Sequence, residues 1–172
     1  MNQRIQKVVP GSKPELAEIE ARILKERGRI SPLYQVLLNS PEIAKGWEAL
    51  LTAVRNKSSL PARLRELMIL RVAVLNRAQF EFDAHAPIAM KEGVSQAQLE
   101  ELQKDTVVSG FSELEVLVLE FTDVMTKQVQ VPDALYDLVK THFNDQEILE
   151  VVTTISAYNM VSRLLNALHV GH

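Results

Sequence analysis

Helix-start signals recur along the whole chain, and they leave little room for any other secondary structure. Ser12 with Glu15, Ser95 with Gln98, Ser112 with Glu115 and Asn144 with Glu147 have capping-box spacing. In such a box the cap side chain accepts from the backbone three residues on, and the glutamate or glutamine reaches back. Ser31-Pro32 and Ser40-Pro41 place a cap directly before a first-turn proline. Ser59-Leu60-Pro61 and Pro132 open two more segments. The expected helices stop near Gly28, run over 32–38, carry Trp47, Leu51 and Val54 at helical spacing, and cover about 61–76. Others cover about 79–92 before Gly93, the stretches after Ser95 and Ser112, 132–143 and 145–169.

The β-branched stretch 151–155 is the one segment that resembles a strand. It continues into Tyr158, Val161, Leu164, Leu165 and Leu168, which keep helical spacing, so it reads as helix. The expectation is an all-α chain, one domain over 1–172, of about seven to nine helices. Segments 64–75 and 148–168 are apolar around most of their circumference, which implies burial on more than one side. In a chain of 172 residues another subunit is expected to supply part of that burial.

There is no cysteine, so disulfides, thiolate metal ligands, iron–sulfur clusters and cysteine nucleophiles are excluded together. The net charge is −3 and no basic run stands out, which argues against nucleic acid as a partner. The apolar runs 67–70 and 72–75 are divided by Arg71 and are far shorter than the roughly 20 residues of a membrane span. Residues 1–10 hold no apolar stretch of the signal-peptide kind. A cytoplasmic protein with no membrane partner is expected.

Of the four histidines, His142 falls at a helix end and His169 and His172 at the end of the sequence. His85 is different, because Glu81 lies four residues before it and shares its helix face. A carboxylate beside an imidazole orients the ring and raises its pKa, which suits general acid work. The same spacing also describes a surface ion pair of a few tenths of a kcal/mol. Pro87 leaves the Asp83 carbonyl without its helical donor, so this helix should be distorted near the pair. Glu66 precedes the apolar block 67–70; buried there, it would need a partner. Arg71 interrupts the block and calls for a carboxylate, Glu66 or Asp83, or for a bound anion. One well-placed histidine without a His-x-x-x-His pair makes a poor ligand set, so neither metal nor cofactor is expected. No nucleophile-elbow or phosphate-loop pattern is present.

Three stretches carry a resemblance. They are Arg65-Glu66-Leu67-Met68-Ile69-Leu70-Arg71-Val72-Ala73, then Phe80-Glu81-Phe82-Asp83-Ala84-His85-Ala86-Pro87-Ile88-Ala89, then Glu92-Gly93-Val94-Ser95. Together with the final segment from Tyr158 to Leu168, they resemble the carboxymuconolactone decarboxylase family over about 40–170. The resemblance implies the all-helical alkylhydroperoxidase D-like fold and assembly as a homotrimer or homohexamer. In the peroxidase branch a Cys-x-x-Cys pair precedes the histidine and a glutamate completes a proton relay. Matched to this sequence, the relay glutamate is Glu66, the histidine is His85, and the cysteine positions fall on Ala78 and Glu81. Neither residue can attack a peroxide, so peroxiredoxin-type activity is excluded.

The decarboxylase branch acts on a γ-lactone bearing two carboxylates. Loss of carbon dioxide leaves a dienolate that must be stabilised and then protonated on carbon. On that pattern His85 is the proton donor, Glu81 its orienting partner and Glu66 a supporting or relay carboxylate. Arg71 or Arg163 would hold a substrate carboxylate. The resulting expectation is a small-molecule lyase, a decarboxylase of a carboxylated lactone or related enolisable acid, in aromatic-compound catabolism. The alternatives are another acid–base enzyme (hydrolase, isomerase or dehydratase) in the same pocket, or a non-catalytic ligand-binding or assembly protein.

Overall fold

The computed structural model describes residues 4–107 and 109–171; His172, weighed above, lies outside them. Among the described residues there are nine α-helices and no strand. They are α1 (Ala17–Arg27), α2 (Pro32–Leu37), α3 (Pro41–Asn56), α4 (Ala62–Leu75) and α5 (Gln79–Lys91). Then follow α6 (Gln96–Leu102), α7 (Glu113–Gln128), α8 (Asp133–Lys140) and α9 (Asp145–Leu168). The stretch 151–155 is helical, as its continued spacing requires.

Three of the four capping boxes form. Ser95 with Gln98, and Ser112 with Glu115, bond reciprocally at the starts of α6 and α7. Asn144 and Glu147 do the same at α9, with bonds of 2.9 and 3.0 Å. The Ser12–Glu15 box does not form. Lys13 caps a 3-10 turn over Pro14–Leu16 instead, and the Ser12 hydroxyl donates to the Val9 carbonyl at 2.6 Å. Helix α8 ends at Lys140, short of the expected Phe143, and Lys140 Nζ bridges to Asp145 at 2.5 Å.

The chain divides into two compact units: the described residues of Met1–Lys57 with Leu164–His172, and Ser58–Arg163. In the first, α3 packs on α1 and α2 around Ile23, Leu37, Trp47 and Leu51. Its interior also holds Glu48, which has no exposed surface, accepts from the Thr52 hydroxyl and pairs with Arg22 Nε at 2.7 Å. Burial pushes the neighbouring Tyr34 phenol up, and Arg27 beside it offsets part of that rise.

In the second unit α4 is the central element, packed against α5, α6 and α7. Every α4 residue from Glu66 to Ala73 is buried. The core around it includes Leu67, Leu70, Phe82, Leu99 and Leu102. Arg71 is buried with it, and the structure assigns its partner as Asp123 of α7, neither of the two carboxylates suggested by proximity in sequence. Its Nε donates to Asp123 Oδ1 at 2.5 Å and its Nη2 to Oδ2 at 2.6 Å. The other N–H groups reach the carbonyls of Leu102, Lys104 and Asp105 at 2.7, 2.6 and 3.0 Å. All five guanidinium donors are thereby used. A second link, Arg63 Nε to Glu115 at 2.6 Å, ties α4 to the capping box of α7.

Burial alone would raise the Asp123 pKa, but the bonds from Arg71 and Lys127 hold it below the ordinary 3.8. A carboxylate with a lowered folded pKa stabilises the fold above its unfolded value, and that contribution is lost as pH falls through the folded value. Asp123→Ala should therefore cost about 3–5 kcal/mol in urea unfolding at pH 7, because it leaves a buried guanidinium unpaired. The difference from the parent protein should shrink below about pH 4. A cost under about 1 kcal/mol at pH 7 would show that the anchor is dispensable.

Candidate functional site

Helices α4 and α5 bring Glu66, Glu81 and His85 together inside the second unit. Glu66 lies on the first half of α4, directly before the buried apolar residues Leu67, Met68, Ile69 and Leu70. Its Oε2 sits 2.6 Å from His85 Nδ1. Glu81, one turn before His85 on α5, places Oε1 3.1 Å from Nε2. Thus both ring nitrogens face a carboxylate oxygen, and the three residues are only 2%, 7% and 3% exposed for Glu66, Glu81 and His85. The pair on α5 is a buried one, so the surface-bridge reading of its spacing does not hold. Pro87 lies inside α5, as the sequence indicates.

Tyr158 of α9 completes the surroundings. Its hydroxyl lies 3.3 Å from His85 Nε2, and the two rings meet edge to face at 5.2 Å between centroids. In the sequence Tyr158 stands out only as one position in a helical stripe and as the start of the final segment that carries the resemblance. The available signal was a phenol among aliphatic residues, since a buried hydroxyl must find a polar partner.

Burial pushes the His85 pKa down, because the charged ring loses its water. The hydrogen bonds to Glu66 and then Glu81, with the fields of both carboxylates, outweigh that loss and raise it above 6.5. The imidazolium therefore persists to higher pH than in a free histidine, and in that form each nitrogen carries a proton and faces an acceptor. The two carboxylates sit at opposite ends of the ring, so they do not converge on a common point with a ring nitrogen as metal ligands must. No group of metal-ligand type is found among the described residues.

The expected arginines do not join this cluster. Arg71 has no donor left for a substrate carboxylate, and its role is to bind α4 to α7 and to the turn after α6. Arg163 is exposed and donates to the backbone and side-chain oxygens of Asn159, one turn earlier on α9. His142 is exposed. His169 adopts a left-handed conformation at φ 52° just beyond α9.

Residues 41–123 match the model of the Carboxymuconolactone decarboxylase family. The likeness to that family spans just under half of the chain. The matched carboxymuconolactone decarboxylase segment contains Glu66, Arg71, Glu81, His85 and Asp123 and ends before α8 and α9, so Tyr158 and Arg163 lie outside it. The uncharacterized protein YdfG of Bacillus subtilis (strain 168) is 28% identical over 110 residues, covering 63% of this chain and 75% of that protein. A protein of unknown function from Agrobacterium tumefaciens superposes with a TM-score of 0.72 at 26% identity, over 79% of this chain and 94% of that one. The alkylhydroperoxidase AhpD core of an uncharacterized peroxidase-related protein from Ralstonia eutropha JMP134 gives a TM-score of 0.83 at 14% identity, over 98% and 90%. That likeness shows the AhpD-like fold. No helix among the described residues is long and apolar enough to cross a membrane.

A histidine with a raised folded pKa stabilises the fold fully below the unfolded value of about 6.5, and the contribution is lost as pH rises through the folded value. Ring ¹⁵N shifts of His85 at pH 6.5 should be mainly those of an imidazolium, and Glu81→Gln should lower the titration midpoint. The stability gap between the parent protein and His85→Gln should narrow above neutral pH. A neutral tautomer of His85 at pH 6.5 would contradict the charge assignment.

Proposed function

We propose that this chain is an acid–base enzyme of the carboxymuconolactone decarboxylase family, a carboxy-lyase acting on a carboxylated lactone or related enolisable acid. The observation that carries the reading is the buried imidazole between two carboxylates. A ring held in its charged form can give up a proton but cannot serve as nucleophile or base until it has done so. In the proposed step the bond from carbon to the departing carboxylate breaks, carbon dioxide leaves, and the electron pair spreads into an enolate. The proton on His85 Nε2 is then delivered to carbon, and the positive ring stabilises the oxyanion before that transfer.

The geometry favours a different division of labour between the carboxylates from that expected of the sequence. Glu66, at the shorter distance, holds Nδ1 and keeps the ring orientated and charged. Glu81 and Tyr158 share the Nε2 side, where the transferable proton sits. Assembly as a homotrimer or homohexamer belongs to the same proposal. Leu138 of α8, and Leu149 and Met160 of α9, are exposed large apolar residues that a second copy would cover. Light scattering after size exclusion should give a mass of three or six chains, and a monomer at micromolar concentration would remove this part of the reading.

Turnover on a panel of carboxylated lactones should fall roughly 10²–10⁴-fold in His85→Ala. Glu81→Gln and Glu66→Gln should fall less, with activity profiles shifted to lower pH as the ring loses a negative neighbour. The melting temperature of each variant separates folding from chemistry. Full activity in a folded His85→Ala protein would refute the assignment.

A further inference from the structure

A second feature of the same unit lies at the corner between α4 and α5. It is a cleft of about 240 Å³ whose lining includes Ala73, Val74, Ala78 and Phe82, with Arg77 and Gln79 among them. That volume is below the ~300–1,000 Å³ typical of sites for drug-sized ligands, so its occupant is compact.

Arg77 stands where the chain leaves α4. The Arg77 N–H donates to the Val74 carbonyl at 3.0 Å and the Ala78 N–H to the Ala73 carbonyl at 2.8 Å, a Schellman-type ending. The turn puts Arg77 at φ 55°, a left-handed conformation that glycine adopts freely and arginine only under strain. A cation at a helix C-terminus gains from the dipole, but a lysine or arginine within the last turn would gain as much without the strain. Arg77 is exposed and has no ion-pair partner among the described residues. Gln79 donates its amide to Asp83 at 2.7 Å, so Arg77 is the one charged group among the residues lining the cleft.

We propose that the α4–α5 cleft binds a compact organic carboxylate, with its apolar body against Val74, Ala78 and Phe82 and its charge on Arg77. Charge complementarity selects an anion, and the apolar walls select a ring or short hydrocarbon over inorganic ions. Helix α5 lines the cleft through Gln79 and Phe82 and supplies Glu81 and His85 to the buried cluster. If the acid–base reading above holds, the cleft accepts the substrate's retained carboxylate, the task first expected of Arg71 or Arg163. Binding itself does not depend on that reading.

Calorimetric titration with benzoate, and with benzamide as its neutral counterpart, tests the proposal. Benzoate should bind with a Kd on the order of 1 mM, and benzamide about tenfold more weakly. Arg77→Gly should weaken benzoate about tenfold while raising the melting temperature by about 2–4 °C, because strain is released as the charge is lost. Arg77→Gln should show the same loss of affinity without the gain in stability. His85→Gln should bind benzoate as the parent protein does, so loss of turnover and loss of the subsite are read separately. No benzoate binding to the parent protein, or benzoate affinity equal to the parent's in both Arg77 variants, would overturn the proposal.

Discussion

Helix α4 carries a carboxylate and a guanidinium into an apolar interior, and each of those charges must be met there. Four residues separate Glu66 from Arg71, and all four are buried. An unpaired charge at either position would cost several kcal/mol, comparable with the whole stability margin of a domain. Arg71 is answered by Asp123 and three carbonyls, which fix α7 and the turn after α6. Glu66 is answered by His85, which fixes α5. The apolar side chains of α4 supply the burial, but they would tolerate several rotations of the neighbouring helices. The two ionic partners select one.

The two charges nevertheless end in different chemistry. The Arg71 guanidinium is saturated and stays charged at any ordinary pH, so it contributes geometry alone. His85 is a group whose charge can change near neutrality, and its environment holds two carboxylates where one would have fixed the tautomer. The hydrogen bonds to Glu66 and Glu81, with the fields of both, are what favour the protonated ring against its own burial penalty. A similar balance operates nearer the surface at Glu150 of α9. Burial would raise that carboxyl, yet hydrogen bonds from Gln146, Ser59 and Ser58 lower it to about 2 and tie α9 to the segment before α4.

Much of this was legible in the sequence, and the limits follow from distance along the chain. The boxes at Ser95, Ser112 and Asn144 are local, with both partners three residues apart, and they formed as read. The Ser12 box has the same letters but failed, because the backbone first closes a 3-10 turn capped at Lys13. Glu81 and His85 are one helical turn apart, so their pairing was visible, but whether the pair faced water was not. The partner of Arg71 lies 52 positions away, and nothing in the pattern near Arg71 points to it. Tyr158 lies 73 positions from His85 and was concealed by its agreement with an apolar stripe. Glu66 was legible as a carboxylate before an apolar block, but its link to His85 entered through the family resemblance, since their spacing has no meaning within a single helix.

The arrangement of donors around the ring also bears on which reactions this scaffold can support. In an imidazolium both nitrogen lone pairs carry protons, so the ring must lose one before it can take one. A reaction that begins by abstracting a proton would then start from the disfavoured state, and one that ends by donating a proton starts from the favoured state. Decarboxylation belongs to the second kind, because departure of carbon dioxide creates the basic carbon that the acid later meets. Its product enolate is also an anion, which a buried cation stabilises more strongly than water would. After such a transfer the neutral ring would sit between two carboxylates, which favour recapture of a proton. In the proposed reaction the clamp that makes His85 a reluctant acid toward solvent would also restore it for the next turnover, and the enolate, far more basic than either carboxylate, would be the species able to draw the proton away.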